Sequence, residues 1–459
     1  MKKQINHILL LATQQNTWLH KLVVSTFLTT TVGIVIYTMY AAFHYSSNAI
    51  LGRDEANFII LSSEKILAAT NINEFLRSMF PSHGQHLLLG MQLVNLFTYF
   101  TFGILDRRIM NVIGVIILCI AALLLPKVRH KKISETILIY ATLFPLILSP
   151  AHNACIVNAS CTGNHYLGVA FSVFSLYFFT KIPENKYSFI GAEFFMLLAI
   201  FSLPAALALV PISFFILFTS SNKNKYYFIF THVFLILFTL LFQYYLTYPD
   251  TIFSFLENTE PLSFVEIIKD TILFCATLLV ILGSLFYWLN DAGYGSILAG
   301  VGIIILALLI FVALKTYKSK DKNSYSFHFY SAILFLFMIL IICFGRYYSL
   351  GSSRYAVYTA FLCATLLLVF FDFLNPVEDA SHTAKRIKLL ICSSTISLIY
   401  YFVALHYHRP YLVELGERDE FCRHAWLSEG LACGVMIPHE EATRIIKAAI
   451  DQGIYRVEQ

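Results

Sequence analysis

Apolar residues in this chain come in long blocks rather than at alternating or amphipathic positions. Runs near twenty residues recur at about 21–43, 109–126, 134–150, 164–180, 189–203, 205–220, 226–246, 295–315, 328–347, 356–373 and 389–405. A helix of that length crosses roughly 30 Å of hydrocarbon and satisfies its own backbone groups there. The pattern therefore predicts an all-α polytopic membrane protein. Two further stretches are ambiguous. Residues 86–105 ("HLLLGMQLVNLFTYFTFGIL") read either as a span or as a helix lying in the interface. Residues 264–289 read either as a crossing or as a hairpin that dips in and returns.

Positive charge separates these readings. The basic connectors are "KVRHKK" (127–132), "TKIPENK" (180–186), "NKNK" (222–225), "KTYKSKDK" (315–322) and "KRIK" (385–388). If neither ambiguous stretch crosses, all five fall on the side of Lys2, Lys3 and Lys21. If only one crosses, the clusters beyond it are sent to the other side, and if both cross, "KVRHKK" and "NKNK" are stranded outside. Lys and Arg beside span ends favour the cytoplasm. About eleven crossings are expected, with the N-terminus cytoplasmic and the C-terminus outside. The opening "MKKQINHILLLATQQNTWLHK" lacks a small-residue cleavage site and reads as a retained cytoplasmic start.

Long external segments follow from this topology. They are 44–108 with interfacial helices, 151–163, 247–294 with a re-entrant hairpin at 264–294, 348–355, and 406–459. The expected organisation is a membrane domain over 1–405 and a small external cap over 406–459. The cap's "PHEEATRIIKAAIDQG" reads as one helix, with Pro at the start, acids in the first turn and Gly past the end. In "FSLPAALALVP" (201–211) a proline predicts a tight break between two spans.

Composition agrees: 58% of residues are hydrophobic and 13% charged, against about 25% charged in soluble domains. The net charge of +5 sits beside spans, where topology explains it, so no nucleic-acid partner is expected. Of nine cysteines, Cys119, Cys275, Cys343, Cys363 and Cys392 lie in apolar runs. The other four form two local pairs in external segments, Cys155/Cys161 and Cys422/Cys433, where an oxidising compartment permits disulfides. Unpaired thiols or a metal site are the alternatives.

Candidate chemistry is concentrated in the external segments. Asp54 and Glu55 precede "ANFIILSSEKILAATN", whose helical apolar spacing places the acids at the head of an interfacial helix. A carboxylate there can take a proton from a hydroxyl nucleophile, hold a divalent cation, or simply be solvated. "PSHGQH" sets His83 and His86 three apart around Gly84, as a phosphate- or sugar-binding loop or as a plain turn; no third ligand has zinc spacing. "FGRYYSLGSSRYAVYTAF" (344–361) places Arg346 and Arg354 at the external mouth of two successive spans. Guanidinium groups grip phosphate oxygens bidentately, or pair with Asp54, Glu55 or a loop acid. Tyr347, Tyr348 and Tyr355 are interfacial anchors or sugar-stacking rings. Asn290 and Asp291 give a weaker signal in the expected hairpin. No Walker loop, dinucleotide fingerprint or nucleophile elbow is present in the sequence.

An acidic pair after the first span, a His-x-x-His loop before a long interfacial helix, and a Gly-Arg…Ser-Arg-Tyr loop joining two late spans resemble the GT-C superfamily of polytopic glycosyltransferases. The nearest likeness is to bacterial O-antigen-modifying, serotype-converting glucosyltransferases. The likeness of layout covers most of residues 20–405, and "HGQHL" departs from the "HNEHR" of many relatives. The resemblance implies transfer of a hexose from a polyprenyl-phosphate donor to a lipid-linked glycan or O-antigen on the periplasmic face of the bacterial inner membrane. It further implies Asp54 as general base with Glu55 as partner, Arg346 and Arg354 on the leaving lipid phosphate, and His83, His86 and Tyr355 orienting substrates. No cofactor is assigned; a divalent cation is compatible. A flippase or exporter of lipid-linked glycans and an O-antigen ligase or polymerase are the rival readings, with a non-catalytic membrane protein behind them.

Overall fold

The computed structural model describes residues 17–46, 56–80, 82–83, 86–126, 132–183, 185–247, 264–286, 295–318, 326–346, 353–373, 380–432 and 439–457. Apart from one small hairpin these residues are helical. The chain opens with α1 (Trp18–His44), whose first turn is capped by the Thr17 hydroxyl accepting from His20 N–H at 3.2 Å. A π-turn (Ala56–Leu61) leads into α2 (Ser62–Ala68) and α3 (Ile72–Met79). α3 begins with a reciprocal cap: Asn71 Oδ1 accepts from Glu74 N–H, and Glu74 accepts from Thr70 N–H. The Thr70 backbone N–H and hydroxyl hold the Glu74 carboxyl below the usual carboxylate range.

Strands β1 (Ser82–His83) and β2 (His86–Leu87) pair antiparallel and are followed by α4 (Leu89–Phe102). Next come α5 (Arg107–Leu124) and α6 (Ile133–Ile147), then, after a short irregular stretch, α7 (Asn153–Val157) and α8 (Leu167–Phe179). α9 (Ser188–Ser202) and α10 (Leu209–Thr219) are separated by a 3-10 turn starting at Pro204, where the sequence predicts a break. The later helices are α11 (Lys225–Thr247), α12 (Phe264–Leu282), α13 (Gly295–Lys318), α14 (Ser326–Arg346), α15 (Ala356–Phe373), α16 (Ala380–Glu429) and α17 (His439–Asp451).

Among the described residues, seven helices are long and apolar enough to cross a membrane, and three shorter apolar helices accompany them. This is a membrane-embedded helical protein. α8 and α15 are its interior: Val169, Ala170, Leu176, Val357, Phe361 and Val369 are fully buried. α1 and α11 carry the exposed apolar side chains expected of lipid-facing helices, among them Ile36, Phe230, Phe234 and Leu241.

Hydrogen bonds sort the helix ends into two sets. At one end, Arg107 pairs with Asp419 at 2.7 Å, Ser46 reaches Val157 O, Leu105 N–H donates to Ile454 O, and Gln452 donates to Glu64. At the other, Glu135 pairs with Arg386, His328 donates to Leu125 O at 2.8 Å, and Asn222 donates to Ile182 O at 3.0 Å. The first set comes from segments expected outside, the second from the ends of the basic connectors. α4 belongs to the first end throughout. It starts against Gly163 and Ser202 and finishes at Gly103, just before Leu105 bonds to Ile454. Its 14 residues span about 21 Å.

Within the stretch read as a hairpin at 264–294, α12 is one uninterrupted helix of 19 residues, and residues 287–294 lie outside the described residues. α12 lies antiparallel to α13: a Cβ on Gly302 would sit 2.1 Å from Leu279 O, and one on Gly283 2.1 Å from Leu298 O. Continuous apolar spacing outweighs the charges at Glu266, Lys269 and Asp270. α16 runs as one helix from Ala380 to Glu429, through residue 405, with Pro410 inside it. Helix-favouring polar residues extend the span beyond the apolar run, and Ala442, Ile445 and Ile446 of α17 join the main core.

Candidate functional site

The end that gathers the external segments holds the densest polar cluster among the described residues. It is built on a short irregular stretch between α6 and α8. Ser149 caps a 3-10 turn (Pro150–His152), Asn158 caps a one-turn helix (Ala159–Cys161), and a π-turn (Thr162–Tyr166) delivers the chain to α8. Asn, Ser and Thr favour such caps because their side chains satisfy N–H groups that a helix start leaves open. The hydroxyl of Thr162 lies within bonding reach of Asn111 Oδ1 and the Cys155 carbonyl, fixing this stretch on α5. Gly114 makes that approach feasible, since any Cβ there would overlap the Thr162 methyl group.

Onto this platform folds the one-turn helix Ser353–Tyr355 that precedes α15. Ser353 Oγ donates to Asn153 Oδ1 at 2.9 Å, and Asn153 Nδ2 is 3.0 Å from His408 Nδ1 on α16. His165 Nδ1 lies 2.5 Å from the Tyr358 hydroxyl, and His152 Nδ1 lies 2.6 Å from that of Tyr166. The Arg354 guanidinium sits 5.5 Å over the Tyr355 ring, whose other neighbour is the His165 ring at 6.0 Å. Arg354 is half-buried, and its Nε has no hydrogen-bond partner among the described residues. The nearby acids are engaged elsewhere: Asp419 by Arg107, and Asp106 by Arg108 at 2.8 Å. A guanidinium with no neutralising carboxylate among the described residues suits an anionic group at the membrane boundary.

Of the residues singled out in the sequence, Arg354, Tyr355, Cys155 and Cys161 come together here. The two cysteines are free thiols, one of the alternatives read from the sequence. Their sulfurs are in hydrogen-bond contact, Cys155 donates to the Arg354 carbonyl, and Cys161 also contacts the Arg354 side chain. Cys422 is disulfide-bonded; Cys433 lies outside the described residues. Arg346 is the last residue of α14. Asp54, Glu55, Tyr347, Tyr348, Asn290 and Asp291 lie outside the described residues. The π-turn that follows the acidic pair packs against α17 and α4, at the same end as Arg354. His83 and His86 are partners in the β1–β2 hairpin, whose second strand leads through Leu88 into α4 and its contact with Gly163. Among the described residues no three His, Cys, Asp or Glu side chains are grouped to hold a metal ion.

His152, Asn153, His165, Tyr358 and His408 enter the cluster without having been picked out in the sequence. The signal was there in "HNACIVNASCTGNH", a polar insertion between two apolar runs, whereas Tyr358 and His408 sit inside or beside apolar stretches and carry no local mark. No family model matches this chain, and no curated protein matches it.

Proposed function

We propose that this protein is a GT-C-type glycosyltransferase of the bacterial inner membrane, with eleven crossings, a cytoplasmic N-terminus and a periplasmic C-terminus. It transfers a hexose, glucose by resemblance, from a polyprenyl-phosphate donor to a lipid-linked glycan or O-antigen. One observation carries the reading: a half-buried arginine with no carboxylate partner among the described residues, seated on an aromatic ring where the external segments gather.

In this reading Arg354, joined by Arg346, neutralises the donor phosphate as the glycosidic C–O bond breaks. Stabilising charge that develops on a leaving group is among the largest contributions an enzyme site makes. Asp54 takes the proton from the attacking acceptor hydroxyl, with Glu55 as its partner, and His83 and His86 orient the substrates. Lipid phosphate is already a capable leaving group, so one base, cations and positioning suffice.

Purified protein given polyprenyl-phosphate hexose and a defined glycan tests this. Wild type transfers the sugar, and Asp54→Asn folds normally but transfers about 10²- to 10⁴-fold more slowly. Equal rates would remove Asp54 as the base. Absence of transfer by wild type with any hexose donor, combined with movement of a lipid-linked glycan between leaflets of proteoliposomes, would favour the flippase reading.

A further inference from the structure

Cys155 and Cys161 sit six positions apart on α7 and the following one-turn helix, sulfur against sulfur, and both touch Arg354. Cys155 is fully buried and Cys161 half-buried. A guanidinium beside a thiol favours the thiolate, the form that attacks disulfides, and this acts on half-buried Cys161, whereas burial pushes the Cys155 thiol well up and keeps it protonated. An accessible cysteine next to a cation with a second cysteine in contact is the arrangement of a reversible oxidation site. We propose that Cys155 and Cys161 form a reversible disulfide that controls how freely Arg354 can engage an anionic donor, an inference that rests on the sugar-transfer reading for its effect on rate.

The step balances as thiol–disulfide exchange with an external disulfide-bearing oxidant. The Cys161 thiolate attacks one sulfur of the oxidant, displacing its other sulfur as a thiolate. Cys155 then passes its S–H proton to that displaced thiolate and attacks Cys161 in the mixed disulfide, expelling the oxidant's second sulfur as a thiolate. Two protein thiols become one disulfide, and the oxidant's disulfide becomes two thiols. In the reduced state the Cys161 sulfur competes with phosphate for the guanidinium, and the Cys155 S–H restrains the Arg354 backbone. Oxidation removes both the S–H donor and the anionic competitor, so Arg354 is released towards the donor.

The full chain in detergent is treated with oxidised glutathione, remaining thiols are alkylated, and the peptide carrying both cysteines is weighed. The expected result is a peptide lighter by two hydrogens and unalkylated at both positions. Donor KM is expected to fall on the order of tenfold, the worth of one hydrogen bond to a charged group, and to return with dithiothreitol. Cys161→Ser, which cannot form the disulfide, is expected to show a donor KM that no longer changes between oxidant and dithiothreitol. Alkylation of both cysteines after oxidant overturns the proposal, whether or not transfer is observed. A disulfide that forms while donor KM stays constant overturns the link to Arg354. A disulfide that forms in a protein with no transferase activity supports the thiol pair while sinking the sugar-transfer reading.

Discussion

Glu193, His232 and Ser213 form a buried chain contributed by α9, α11 and α10, and its hydrogen bonds fix where the protons are. Ser213 Oγ donates to the Val210 carbonyl at 2.8 Å, so it must accept from His232 Nε2, also at 2.8 Å. His232 Nδ1 then shares one proton with Glu193 Oε1 at 2.7 Å. Either placement of that proton leaves the unit neutral overall, which an apolar interior demands. Glu193→Gln retains a group that can donate to Nδ1 and is expected to lower stability by under about 1 kcal/mol. Glu193→Leu strands a buried nitrogen and is expected to cost about 1–3 kcal/mol. Thermal unfolding in detergent separates the two; equal losses would mean that the carboxylate itself is required. None of this was visible in the sequence, because Glu193 and His232 are each a single polar residue in an apolar run.

At the scale of elements, the α12–α13 pair depends on backbone contact rather than side-chain volume. Helices in an apolar environment gain little from hydrophobic burial against each other, so close approach through small residues carries the association. Gly302→Val places atoms where Leu279 O lies and is expected to force the pair apart. Cysteine crosslinking between the two helices, efficient in the parent and lost in Gly302→Val, checks this; unchanged crosslinking would mean the helices already stand further apart. The sequence announces the two helices through their apolar runs, and the break at Pro204 through a residue that cannot continue a helix. Their contact was not readable, because a glycine in a span looks the same whether it faces lipid or a neighbour. The span read at 389–405 marks only where the apolar run lies, and helix propensity carries α16 on past it.

For the whole molecule, the alternation of basic connectors with polar insertions anticipates the sorting of helix ends into two sets. The cluster at one end was only partly legible. Arg354 and Tyr355 stand out as a polar interruption beside a span, while the partners that hold them come from positions some 200 residues away and need the fold to find them. The orientation belongs to this scale as well. A membrane-impermeant thiol reagent applied to intact cells is expected to label Asp451→Cys, an exposed position at the end of α17, in a variant lacking other reactive thiols. Labelling only after the inner membrane is opened would reverse the assignment of sides.

The unbroken path of α16 makes distant parts of the protein answer to the same screw. Its 50 residues have a contour of about 75 Å, more than twice the thickness of a bilayer's interior. Arg386 near its start is pinned to Glu135, and Asp419 near its far end is pinned to Arg107. One extra residue anywhere between those two anchors would swing the outer one by about 100° and lift it by about 1.5 Å, so both cannot be kept. The number of residues between the two anchors is therefore fixed, and insertions or deletions in this shaft are tolerated only outside them.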